Sequence, residues 1–130
     1  MTVLILVAAF LCGSIPFSWF LGKAMGVDLL KEGSGNPGAT NLLRCRGVAA
    51  GLAGFLPDAA KGAVPVLWAV HRPEPWVPAA AALAAILGHV FMPWFGFRGG
   101  KGVATALGAL LVLSPPAVLC SLGVFIVTVA

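Results

Sequence analysis

The chain has 130 residues, of which 60% are hydrophobic and 9% charged, with eight Lys or Arg against four Asp or Glu and a net charge of +4. Soluble domains carry roughly 25% charged residues, so this composition excludes a soluble globular fold, a disordered chain and a nucleic-acid-binding module, and leaves a polytopic membrane protein. Cys12, Cys45 and Cys120 stand far apart without CxxC spacing and point to neither a disulfide framework nor a zinc site.

A hydrocarbon core about 30 Å thick is crossed by about 20 apolar residues in helix. Residues 2–22 carry no charge and form the first predicted span; no basic residue precedes them and Lys23 follows, so the run reads as a retained span and not as a signal peptide. Residues 47–70 are apolar except for Asp58 and Lys61, and Pro57 and Pro65 leave open one kinked span or two short ones. Residues 76–97 form the next span, with His89 inside it, and residues 103–114 and 117–130 are divided by Ser114-Pro115-Pro116. The expected fold class is therefore all-α, a transmembrane helix bundle of about four to five spans, in a single domain over residues 1–130.

Loop charge sets the orientation. Lys23, Lys31, Arg44 and Arg46 follow the first span, Arg98 and Lys101 follow the 76–97 span, and the intervening turn, 71–75, holds Arg72 alone. The positive-inside rule puts the 23–46 and 98–102 loops on the cytoplasmic side and the N-terminus outside. Small residues at Gly22/Gly26, Gly47/Gly51/Gly54 and Gly96/Gly100 recur at the spacing that lets membrane helices approach closely within a bundle.

Two patches carry polar chemistry. In Gly33-Ser34-Gly35-Asn36-Pro37-Gly38-Ala39-Thr40-Asn41-Leu42-Leu43-Arg44 the first six residues match G-x-G-x-x-G. A dinucleotide fold would need a preceding strand and a βαβ unit, and here a membrane helix precedes. What survives is the physics: glycines let backbone N–H groups converge on an anion, Ser34, Asn36, Thr40 and Asn41 add donors, and Arg44 adds a planar cation suited to phosphate. The same residues also read as a turn followed by a helix capped by Thr40 or Asn41. The second patch is Gly88-His89, then Phe91, Pro93 and the run Phe95-Gly96-Phe97-Arg98-Gly99-Gly100-Lys101-Gly102-Val103-Ala104-Thr105. A nucleoside-triphosphate loop would need Gly at position 95 and Ser or Thr at 102, where Phe95 and Gly102 stand. A glycine-rich, doubly basic loop opening a helix remains, and such termini bind anions. Asp58 and Lys61, three residues apart in a span, are expected to neutralise one another. His89 reads as a general base or as a histidine hydrogen-bonded within the bundle.

In order along the chain, Gly13-Ser14-Ile15-Pro16, the Gly33–Asn41 run with Arg44, Asp58-Ala59-Ala60-Lys61-Gly62, Gly88-His89 and the Gly96–Thr105 run resemble the bacterial acyl-phosphate:glycerol-3-phosphate acyltransferases. The resemblance implies a bacterial inner-membrane enzyme of about seven spans. It implies transfer of a fatty acyl group from acyl phosphate to the 1-hydroxyl of glycerol 3-phosphate, giving lysophosphatidate and phosphate, without metal or cofactor. By motif, Ser34, Arg44 and Lys101 would be catalytic; Asn36, Gly38, Thr40, Asn41, Arg98, Gly99, Gly100 and Gly102 would bind substrate phosphates; Asp58, Lys61 and His89 would support the site. Position 98 is usually Lys in that family and is Arg here, with the charge kept. Implied partners are acyl phosphate, glycerol 3-phosphate, membrane lipids and the upstream enzyme that makes acyl phosphate; no nucleic acid is expected. The family's Arg-His-x-x-Asn-Ile motif near its C-terminus is not found before Ala130, so a chain truncated ahead of that motif is expected. Two rival readings stand beside the enzyme: an incomplete relative that binds phosphate or lipid without turnover, and a small anion transporter.

Overall fold

A computed structural model of the chain describes residues 1–129. Seven α-helices follow one another among these residues: α1 (Thr2–Gly13), α2 (Phe17–Ala24), α3 (Ala39–Arg46), α4 (Val48–Ala69), α5 (Val77–Val90), α6 (Val103–Leu113) and α7 (Pro115–Val129), with a short 3₁₀ turn at Pro93–Phe95. The bundle is all-α, as the composition predicts. Its outward surface is apolar: Leu4, Val7, Leu11, Leu52, Leu56, Val64, Trp68, Leu83 and Leu87 are all exposed. Buried polar side chains such as Asn41, Asp58, Lys61 and His89 lie within. That inversion suits a hydrocarbon solvent, and Thr2–Ala24 and Val77–Phe95 are each long and apolar enough to cross a membrane.

The first predicted span is not one helix. It breaks at Ser14-Ile15-Pro16 between α1 and α2. Pro16 has no N–H to continue the ladder, and the carbonyls freed at the break are met from elsewhere in the fold. The Trp94 indole donates to the Ser14 carbonyl at 2.9 Å, and the Lys61 ammonium donates to the Ile15 carbonyl at 2.6 Å. The 47–70 segment resolves the other way. It is one helix, α4, running through both Pro57 and Pro65. Pro65 cannot donate to the carbonyl four residues earlier, that of Lys61, and the Cys12 thiol donates to it instead at 3.6 Å. The 76–97 span is shorter as helix, ending at Val90 before the 3₁₀ turn. Ser114 divides α6 from α7, and the predicted last span runs over α7, with Ala130 outside the described residues.

Close approach of helices rests on glycines, mostly others than those the spacing singled out. A Cβ at Gly13 or Gly88 would strike the backbone of Ala85 or Phe10, so α1 and α5 cross there. A Cβ at Gly62 or Gly108 would strike the backbone of Thr105 or Ala59, which locks α4 on α6. Of the predicted set, Gly22, Gly51 and Gly54 do pack within the bundle, against Leu29, Leu43 and Ser18 with Leu42. Gly26, Gly47 and Gly96 instead lie at turns with positive φ. At Gly47, φ of +87° lets the chain end α3 and begin α4 with no intervening loop.

The bundle has two unlike ends. Ile5 and Ala9 of α1 pack with Ala69 and Val77, so the N-terminus lies with the 70–76 turn. At the other end the 25–38 loop meets the 91–102 loop, where the Asn36 amide donates to the Gly99 carbonyl at 3.5 Å.

Candidate functional site

Between those two loops lies a cleft lined by Ser34, Asn36, Gly38, Thr40, Asn41, Arg44, Phe55, Asp58, His89, Lys101 and Gly102 with their neighbours. Both polar patches of the sequence therefore face one space. They arrive as helix openings: α3 begins at Ala39 after Gly38, and α6 begins at Val103 after Gly102, neither with a side-chain cap. The first turn of a helix leaves N–H groups without intrahelical partners and places partial positive charge there. Two such openings, with Arg44 in the last turn of α3 and Lys101 just before α6, give the cleft a positive lining. Arg44 and Lys101 are exposed, their cationic ends open to a ligand.

The 29–38 loop folds around one side chain. The Asn41 amide donates to the carbonyls of Leu29 at 3.0 Å, Glu32 at 2.9 Å and Asn36 at 3.0 Å, and its oxygen accepts from the Ser34 N–H at 2.9 Å. At its outer edge, Asp28 accepts from the Trp19 indole at 3.2 Å and from Lys23 at 2.8 Å, and the Lys23 ammonium beside it holds its carboxyl below the usual aspartate value. Asn36 accepts from the Gly38 N–H at 2.9 Å. Its one long bond to Gly99 leaves a donor for a ligand.

Several assignments change. The cap of α3 is Gly38, not Thr40 or Asn41; Thr40 and Asn41 lie inside the helix. Asn41 lines the cleft, but its donors are engaged by the loop and it is 1% exposed. The Gly99 and Gly100 N–H groups donate to the carbonyls of Val90 at 2.8 Å and His89 at 3.0 Å. They close the C-terminus of α5 and are unavailable as an anion loop. A Cβ at Gly100 would occupy the place of the His89 ring, so this glycine makes room for the imidazole. Of the second patch His89, Lys101, Gly102, Val103 and Ala104 line the cleft; Arg98 is exposed outside it.

Beneath the cleft the expected pair is present. Lys61 Nζ lies 2.8 Å from Asp58 Oδ1, both side chains at most 2% exposed. Ser18 donates to the other Asp58 oxygen at 2.6 Å, and Thr105 donates to the Asp58 carbonyl at 3.0 Å. Asp58 borders the cleft and Lys61 lies behind it. Thr105 closes the second motif run, but Ser18 carried no signal in the sequence, because a lone Ser in an apolar helix has no periodic mark. His89 is buried against Gly100 and its Nδ1 lacks a hydrogen-bond partner among the described residues. Those residues hold no cluster of side chains suited to a metal ion.

Comparison with known proteins gives a consistent result. The sequence pattern of the family described as glycerol-3-phosphate acyltransferase matches residues 3–130. A Geobacter sulfurreducens protein named glycerol-3-phosphate acyltransferase is 53% identical over 94% of this chain and 63% of its own length. A Geotalea daltonii protein of the same name is 48% identical over 97% of this chain and 66% of its own. Two crystal structures of PlsY, described as an integral membrane glycerol 3-phosphate acyltransferase, superpose with TM-scores of 0.87 and 0.85 at 44% and 43% identity. One is the glycerol 3-phosphate form, the other the lysophosphatidic acid form, and this chain covers 66% and 61% of them. The chain thus spans 61–66% of the length of these four relatives.

Proposed function

This chain belongs to the glycerol-3-phosphate acyltransferase family, and on that premise we propose that it takes part in acyl transfer from acyl phosphate to the 1-hydroxyl of glycerol 3-phosphate at a bacterial inner membrane. The observation that carries this reading is the cleft where two uncapped helix openings, Arg44 and Lys101 meet. Both substrates are phosphorylated, and such an array favours developing negative charge.

In this reading Ser34 and the free donor of Asn36 orient the acyl phosphate. Arg44 and Lys101 neutralise the substrate phosphates, and the openings of α3 and α6, marked by Gly38, Thr40 and Gly102, supply backbone donors. The hydroxyl oxygen attacks the acyl carbon, the bond from that carbon to the phosphate oxygen breaks, and the departing phosphate takes the hydroxyl proton. Lysophosphatidate and inorganic phosphate result, with no general base asked of the protein. Asp58, Lys61 and His89 form the floor. The basic loops face the cytoplasm, where glycerol 3-phosphate is drawn, and the acyl tail lies among the helices in the bilayer.

The test is acyl transfer by the chain in bilayers, with acyl phosphate and acyl-CoA as alternative donors. Lysophosphatidate from acyl phosphate alone is the expected product. Product from acyl-CoA alone would overturn the donor assignment, and passage of an anion across vesicles without product would favour transport.

A further inference from the structure

We propose that Asn41 is the positioning residue of this site, acting on the reaction only through the loop that presents Ser34. The inference rests on the acyl-transfer reading for its kinetic part and on geometry for the rest.

Asn41 is fixed in α3 and fully buried, whereas Ser34 is exposed on a loop without secondary structure of its own. One amide joins the carbonyls of residues 29, 32 and 36 to the N–H of residue 34, so the loop closes around it as around a hub. Gly33 is shaped to the same hub. Its φ is +61°, and a Cβ there would meet the Asn41 side-chain oxygen. The ring of bonds leaves Asn41 no donor for a phosphate, yet sets the backbone from which Ser34 and Asn36 reach the cleft. A misplacement of about 1 Å in a positioning element can cost about 10²-fold in rate.

The experiment compares the chain with its Asn41→Ala, Gly33→Ala, Ser34→Ala and Ser34→Ala/Asn41→Ala variants in bilayers, by amide hydrogen exchange and by kinetics. Exchange at Ser34 should rise about ten-fold or more in Asn41→Ala, the scale of a lost hydrogen bond with donors left unpaired. Amides of α4 and α5 should keep their protection. Gly33→Ala, which crowds the hub without removing it, should give the same pattern. Unchanged exchange at Ser34 in both variants overturns the proposal whether or not the chain turns over. In the kinetics, Asn41→Ala should lower kcat about 10²-fold and add little in the Ser34→Ala background, because residues acting through one another are non-additive. Independent, multiplicative losses overturn the claim that Asn41 works through Ser34. Absence of acyl transfer by the unaltered chain would count against the proposed function and leaves the exchange result to decide the role of Asn41.

Discussion

Asp58 and Lys61 are an ion pair the bundle cannot easily do without. Each is buried, and each holds a second group: Asp58 the Ser18 hydroxyl, Lys61 the Ile15 carbonyl. Removing one partner from a buried pair costs about 3–5 kcal/mol. Lys61→Met is therefore expected to lower stability by about that amount, with Asp58→Asn less severe because its amide can still bond Ser18; thermal unfolding in detergent measures both. The cleft cations behave differently. Arg44 and Lys101 are exposed and hold nothing buried, so Arg44→Ala and Lys101→Ala should leave unfolding unchanged. Each should lower kcat/KM about 10²–10³-fold, the scale of a lost charge-stabilising donor, read by acyl transfer. Asp28 adds a pH dependence confined to the loop. Its carboxyl pKa is lowered by Lys23, so the bond it makes is intact above the ordinary aspartate range and is lost as pH falls below it, through the folded-state value. Once the intrinsic pH dependence of exchange is removed, protection of residues 27–32 should fall in that acid window, and Asp28→Asn should reduce that fall.

At the scale of elements, α4 and α6 form the tightest seam. Gly62 and Gly108 each admit the backbone of the opposite helix where a side chain would stand. In lipid, helix association depends on such packing because apolar burial offers no gain over lipid tails. Gly108→Val is expected to part the seam and cost about 1–3 kcal/mol or more, while Gly123→Val on α7, with nothing near its Cβ position, should be tolerated; unfolding of the two variants side by side distinguishes them. Here the limits of the sequence are plain. The Asp58–Lys61 pair was legible from charge cost and spacing alone, as were the helical class and the two polar patches. The kink at Ser14–Pro16 was not, nor the continuity of α4, because a proline's effect depends on which distant group meets the carbonyl it frees. Lys61, Cys12 and Trp94 settle that, and none is a near neighbour in sequence of the break it repairs. The N–H bonds of Gly99 and Gly100 to the end of α5 were illegible for a related reason: a glycine-rich loop looks the same whether its N–H groups face a ligand or a helix end.

For the whole molecule, the segregation of basic loops to one end is the feature with a direct consequence. Loops 25–38 and 91–102 meet at one end of the bundle, and the N-terminus and the 70–76 turn lie at the other. If the positive-inside rule orients the bundle, a membrane-impermeant thiol reagent applied to intact cells should label Arg72→Cys and spare Lys31→Cys, in a background where Cys12, Cys45 and Cys120 are replaced by Ser. The reverse pattern would put the cleft on the outer face, away from any cytoplasmic pool of phosphorylated substrate.

The break between α1 and α2 also sets a schedule for biogenesis. Ribosomes deliver the chain from its N-terminus, and the groups that satisfy the break arrive late: Lys61 is 46 residues after Ile15, and Trp94 is 80 residues after Ser14. Until then the Ser14 carbonyl lacks its indole donor and the Ile15 carbonyl has only the Phe17 N–H, at 3.1 Å, and hydrocarbon supplies no further donor. The nascent N-terminal segment must therefore wait near the interface or inside the insertion machinery, and its final seating is a post-insertion event that only the later helices can complete.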